Sequence, residues 1–374
     1  MPYVLSEQEQ KTYSTMEELL EHNLERLKRG TLDLSWMNPR YPERWGVRIK
    51  PSAHGLTMMD LSRNKEYGTI PTRATTKGFV PRGAFIHPEE EKLLPDMGYD
   101  VLDKFHLYSD NVMALYEEAK SRQWNAATAI PWEKLKPLPE DLEKAVCQNC
   151  TLLTQVEFVA GDFPSKWVWR IPNDFFEVKA FLSTQMMDEA RHTEVFRKRA
   201  LANGGGLLKA GVGVEWALKA ILDAPDHSFG TFILNVIGEG MILTLFRAGE
   251  YLAHTSVDQE IFRRCMQDEA RHVSYGTMEL KFFLDNAPDR EKALEEMHSF
   301  ADFAERAILG AVVEPTTVEP LMILFAGSVK KIDQGMDSVK MFWSALVGEY
   351  LQRCERAGFS RRDRCKIPLD LPVA

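Results

Sequence analysis

A pentapeptide that occurs twice constrains this chain more than any other feature. Asp188-Glu189-Ala190-Arg191-His192 and Asp268-Glu269-Ala270-Arg271-His272 are identical, and Met186 and Met266 stand two residues before each Asp. In an α-helix, residues three apart lie on one face, about one turn along. Glu189 and His192 can therefore aim at one point, and Glu269 and His272 can do the same. A carboxylate and an imidazole at this spacing form half of a two-metal site in a helix bundle. The other half is one further Glu from each of two other helices.

Two such Glu residues are present. Glu157 sits in the apolar stretch Thr151–Ala160, and Glu239 sits in the apolar stretch Phe232–Leu243. Glu157 precedes Glu189 by 32 residues, and Glu239 precedes Glu269 by 30. A lone Glu-x-x-His is common by chance; two copies, each led by an apolar-embedded Glu at a matching interval, are not. Four buried carboxylates would be prohibitive without partners. Two divalent cations neutralise them, and oxygen donors with two nitrogens suit iron or manganese.

The six residues Glu157, Glu189, His192, Glu239, Glu269 and His272 resemble the ligand set of the ferritin-like diiron-carboxylate proteins. The Asp-Glu-x-Arg-His form is most similar to the oxygen-activating branch, the bacterial diiron monooxygenase hydroxylase subunits and aryl-amine N-oxygenases. The match covers roughly residues 140–285. Trp124-Asn125 and Ile130-Pro131-Trp132 are loosely similar to segments before the first metal helix in some diiron oxygenases. The resemblance implies that Glu189 and Glu269 bridge two metals. Glu157 and His192 would complete one shell, and Glu239 and His272 the other. It also implies that Asp188 hydrogen-bonds His272, that Asp268 hydrogen-bonds His192, and that Arg191 and Arg271 neutralise the two Asp. The implied fold is all-α, a ferritin-like four-helix bundle with additional N- and C-terminal helices.

One turn from the ligands stand Thr154 and Gly161, Gln185, Asn235, Leu243 and Cys265, the expected pocket lining. Gly238 and Gly240 flank Glu239 in mid-helix, where each costs about 1 kcal/mol. They mark open space, a distorted turn or close helix packing. Some N-oxygenases carry an extra His where this chain has Cys265. Cys147-x-x-Cys150 has no second pair, so it reads as two core thiols rather than a zinc or rubredoxin site. His54, His87 and His106 read as ordinary histidines.

The net charge of −9 argues against nucleic acid as a partner. Five cysteines, an odd number, and an N-terminus without basic and apolar signal regions lead to an expected cytoplasmic location. Phe229–Phe246 imitates a membrane span but carries Asn235 and Glu239 at its middle, so a core helix is expected there. Along the chain, residues 1–139 read as a wrap of loops and short helices, with a helix over 15–28, many prolines from Pro39 to Pro95, and helical spacing over 100–122. Residues 140–286 hold the bundle. Its helices start at Glu140 (ending near Gly161 and Pro164), at Asn173 or Asp174 as a cap, at Ser228 and at Ser256, with a short helix over 214–222 in the connector. Residues 287–374 read as packed helices over 289–311, 317–331 and 335–357, and no strand pattern is present.

The expected function is an O2-activating diiron oxygenase or oxidase acting on a small organic substrate by hydroxylation, N-oxygenation or desaturation. It would carry two iron ions, with manganese as the alternative metal. No flavin or ferredoxin motif is present, so a separate donor such as a ferredoxin or flavin reductase is expected, as is a homodimer. The alternatives are a ribonucleotide reductase small-subunit-like Mn/Fe or diiron oxidase, and a dimanganese catalase or iron-handling protein. Reductase small subunits usually place a radical Tyr four residues after the first ligand His; Phe196 stands there, and Tyr275 is not equivalent.

Overall fold

The computed structural model describes residues 3–38, 42, 45–46, 49–62 and 69–371. Pro39 lies outside them. The long helices are α1 (Glu7–Lys28), α2 (Val112–Ser121), α3 (Glu140–Val168), α4 (Phe176–Ala202) and α5 (Val212–Leu222). They continue with α6 (His227–Leu252), α7 (Ser256–Asn286), α8 (Arg290–Val312), α9 (Pro315–Ala326) and α10 (Ile332–Arg356). Among the described residues there is no strand; isolated bridges pair Arg73 with Asp103 and Lys77 with Asp96.

Helices α3, α4, α6 and α7 form the bundle, with α3 against α4 and α6 against α7. The later helices close one side of it: α9 packs on α3, α8 on α5, and α10 on both α6 and α9. The shared core includes Phe163, Phe175, Phe181, Phe232, Tyr350 and Phe359. Helix α6 is long and apolar enough to cross a membrane, with mean hydropathy 1.7, but 78% of that window is buried inside the fold.

Several boundaries differ from the periodicity reading, each for a local reason. Helix α1 starts at Glu7 rather than residue 15, because Ser6 and Glu9 form a reciprocal capping box. None of its residues is buried. Helix α3 runs through Pro164 to Val168, since Phe163, Pro164 and Trp167 are all buried and packing outweighs the lost hydrogen bond. Neither Asn173 nor Asp174 caps α4; a 3₁₀ turn over Asn173–Phe175 leads into it. Arg82 instead ties this entry to the N-terminal wrap, donating to the Asp174 carbonyl and pairing with the buried Glu177. Helix α5 is capped from a distance, by the Glu314 carboxylate on the N–H groups of Val212, Gly213 and Val214. Helix α9 ends at Ala326, with Gly327 at φ +74°, a left-handed stop that favours glycine. In α6, residues Phe232–Gly238 form a π-helical segment directly before Glu239.

Two outcomes follow for stability. A Cβ on Gly335 would stand 2.0 Å from the Met322 carbonyl oxygen, where α9 crosses α10. Gly335→Ala should cost about 1–3 kcal/mol, read as a lowered thermal midpoint. At the far end of α7, burial pushes the Glu279 carboxyl well above the usual range, against a hydrogen bond from Ser228 at 2.8 Å. Between the unfolded pKa and this raised one, the unfolded chain releases a proton that the native chain keeps, so stability falls as pH rises. Glu279→Gln removes that slope; melting at pH 5 and pH 8 should show the variant losing less stability than the parent.

Candidate metal centre

The four bundle helices bring all six sequence-expected side chains to one interior point. Glu157 comes from α3, Glu189 and His192 from α4, Glu239 from α6, and Glu269 and His272 from α7. None is more than 2% exposed. Their oxygen and nitrogen atoms form two overlapping foursomes: Glu157, Glu189, His192 and Glu269, and Glu189, Glu239, Glu269 and His272. Within each foursome the atoms lie within 4.8 Å of one another. Glu189 and Glu269 belong to both, as two bridging carboxylates would.

The imidazoles face inward through Nδ1. His192 Nδ1 lies 3.1 Å from Glu269, 3.2 Å from Glu189 and 3.5 Å from Glu157. His272 Nδ1 lies 2.9 Å from Glu189, 3.4 Å from Glu269 and 3.8 Å from Glu239. Neither Nδ1 makes a hydrogen bond, and neither do Glu157 Oε1 or any carboxylate oxygen of Glu189 and Glu269. Buried polar atoms without partners are costly and rare. A set of them converging on one point, all with free lone pairs, is a donor set that fits a pair of cations.

Behind the imidazoles stands a charged lattice. His192 Nε2 meets Asp268 at 3.2 Å, and His272 Nε2 meets Asp188 at 3.4 Å, each across to the opposite repeat. Both Nε2–H groups are thereby committed as donors, which leaves the Nδ1 lone pairs inward. Arg191 bonds Asp188 and reaches Asp268 at 2.9 Å; Arg271 bonds Asp188 at 2.8 Å and Asp268 at 2.6 Å. Two aspartates and two arginines thus balance within the lattice.

The same geometry sets the proton equilibria. Burial, with repulsion from Glu189 and Glu269, pushes the Glu157 and Glu239 carboxyls well above the usual range. Burial opposes charge on His272, but Glu189, Asp188 and Glu269 overcome it and push its pKa well up. His192 is likewise raised against burial, by Cys265 and Asp268. Burial would raise Glu189, yet the two imidazoles hold it below the usual range.

The expected pocket residues divide. Gln185 Nε2 and Asn235 Nδ2 donate to the two oxygens of Glu239, at 2.9 and 2.6 Å. Cys265 is buried beside His192. Thr154 is buried and bonds the Cys150 carbonyl. A Cβ on Gly161 would make only an ordinary contact, 3.5 Å from the Glu189 Cβ. Leu243 is half-buried. None of these six lines either of the two apolar cavities. The cavity that reaches the centre has about 120 Å³ and touches Gly238 and Glu239, with Leu152, Val156, Ile242 and Trp343 among its walls. It lies between the bundle and the C-terminal helices. Two further residues had no role assigned from sequence. Trp124 Nε1 donates to Asp268 at 2.7 Å, and Gln123 bonds both Asp188 and Arg191. Their one signal was the place of Trp124 before Ile130-Pro131-Trp132. All five cysteines are free thiols, so Cys147 and Cys150 form no disulfide.

No protein-family model matches the chain. No curated protein matches it. Solved structures do. A mutant R2-like ligand-binding oxidase with aerobically reconstituted Mn/Fe cofactor aligns at TM-score 0.51 and 17% identity, over 67% of this chain and 94% of that one. An R2-like ligand-binding oxidase after photoconversion aligns at TM-score 0.51 and 18% identity, over 67% and 93%. A further mutant, with an Fe/Fe cofactor, aligns at 0.51 and 17%, over 67% and 93%. The likeness is one of fold: an all-α, ferritin-like bundle with helices added beyond it.

Replacing Asp268 by Asn takes the charged acceptor from His192, Trp124 and both arginines. Metal affinity should fall by about 10- to 100-fold, measured by titration of the metal-free protein.

Proposed function

We propose that this protein is a metal-dependent oxidase that holds two ions, Fe/Fe or Mn/Fe, on Glu157, Glu189, His192, Glu239, Glu269 and His272. The observation that carries the reading is the convergence of all six side chains, five of them with unpartnered polar atoms at that point, with both outer imidazole nitrogens committed to Asp188 and Asp268. The solved structures with this fold are named as oxidases with Mn/Fe or Fe/Fe cofactors. Their names favour an oxidase of the R2-like kind, the alternative weighed from sequence, over a monooxygenase.

Held by these six residues, two redox-active ions would pass electrons from an external donor to O2. The chain's own residues do the rest. Asp188 and Asp268 hold the imidazole tautomers and raise their donor strength. Gln185 and Asn235 fix both oxygens of Glu239. The walls exclude water, so charges inside act through a low dielectric. The 120 Å³ apolar cavity beside Glu239 is a little smaller than the cavities of about 150 Å³ that hold benzene, so without movement of its walls it would admit only a part of a small apolar organic substrate. Phe196 packs against Phe246 and Phe262 and offers no oxidisable hydroxyl. Tyr275 commits its hydroxyl to the Leu107 carbonyl at 2.7 Å. Both facts favour an oxidase without a stored tyrosyl radical. Electrons would come from a separate donor protein.

Metal analysis of the purified protein should give about two ions per chain, four carboxylates and two imidazoles being the complement of such a pair. Glu189→Ala and His272→Ala should each lose metal. Full metal content in both variants removes the assignment. Oxygen uptake without growth of a mineral core supports an oxidase, and mineral growth supports iron handling.

A further inference from the structure

Buried arginines in this fold come with carboxylates. Arg191 and Arg271 pair with the two aspartates, Arg199 with Glu143 and Asp258, and Arg361 with Asp302 and Glu305. Arg353, on α10, differs. It is only 6% exposed and, among the described residues, forms no ion pair. Its Nη2 has no hydrogen-bond partner. Burial pulls its pKa down to about 10, so it stays charged at neutral pH.

The place where this cation is held is specific. Arg353 Nε donates to the Val236 carbonyl at 3.0 Å, inside the π segment and three residues before Glu239. Its guanidinium also lies against Gly240, the residue after Glu239. A Cβ on Gly240 would stand 2.5 Å from the guanidinium carbon. The space that Gly240 leaves is therefore filled from another helix. The Glu239 N–H bonds the Leu234 carbonyl, five residues back, while the chain beyond it is regular α-helix. Return from π to α geometry unsettles the local hydrogen-bond ladder, and such segments gather at functional sites. Arg353 grips this junction from both sides of Glu239. The matching residue on the other half, Glu157, lies in uninterrupted α-helix.

We infer that Arg353 is a positioning residue: wedged between the Val236 carbonyl and Gly240, it holds the π-to-α junction that aims Glu239 into the Glu239–His272 half of the centre. This rests on the proposed role of Glu239 as a metal ligand. It gives α10, which contributes no ligand, control over one half of the site. The two halves should therefore respond differently when the grip is loosened.

The test titrates cobalt(II) into the metal-free full-length protein and follows its visible spectrum, for the parent, Arg353→Met, Arg353→Lys, Gly240→Ala and Glu157→Gln. Glu157→Gln damages the other half and so identifies the signal of the Glu239–His272 half. In Arg353→Met, that half should weaken by about 10-fold or more, the usual scale for an outer-shell partner, with the Glu157–His192 half unchanged. Arg353→Lys should recover part of the loss, because its ammonium can still donate to the Val236 carbonyl. Gly240→Ala should copy Arg353→Met by displacing the guanidinium. Equal weakening of both halves, no change in either, or failure of all three Arg353 and Gly240 variants to fold overturns the inference. A parent protein that binds no cobalt overturns the proposed function and this inference with it. A two-site parent with an unaltered Arg353→Met overturns the inference alone.

Discussion

Everything in this structure answers to one electrostatic constraint: four carboxylates share an interior point with almost no exposure to solvent. A lone carboxylate in such a place is neutralised by a proton or a cation. Here Glu157 and Glu239 are driven toward the protonated form, and the two imidazoles toward the charged form. The four helices that carry these groups are held together around them. The outer ring of Asp188, Asp268, Arg191 and Arg271 adds no net charge, which is why it can be buried as a unit. Its crossed pattern, each Asp serving the imidazole of the other repeat, welds the two halves into one object.

The two halves are nonetheless not equivalent. Glu157 rises from a regular helix. Glu239 rises from a π-to-α junction, has both oxygens held by amides, and is backed by a cation from outside the bundle. The apolar cavity also opens on this second half. Distortion, outside support and open volume thus coincide at Glu239. The physical sense is that a regular helix packs its neighbours tightly, whereas a widened turn leaves room beside itself and must be propped.

How much of this was legible beforehand depended on the kind of interaction. The helix-period spacing of Glu-x-x-His, its exact duplication and the apolar sequence around Glu157 and Glu239 placed the six convergent residues, because these signals are local. The crossed aspartates followed from the resemblance that the duplication suggested. The reading of α6 as a core helix rested on two polar residues in an apolar run, and it agrees with a helix mostly buried in the fold. By contrast, the expected pocket lining was drawn from residues one turn from each ligand. Those positions proved to be filled by hydrogen bonds and packing, since a residue beside a ligand on the same face is also where neighbouring helices meet.

The sequence by itself determined the all-α class, the four helices of the bundle and the six side chains that converge in it, for a repeat period and a pair of identical motifs need no knowledge of distant contacts. Only the tertiary structure decided where the cavity lies, which cap starts α5, and what fills the space over Gly240. Glu314 reaches the start of α5 from about a hundred residues away, and Arg353 reaches the Val236 carbonyl from 117. No periodicity along the chain encodes which remote side chain will arrive at a given backbone group; packing alone selects it.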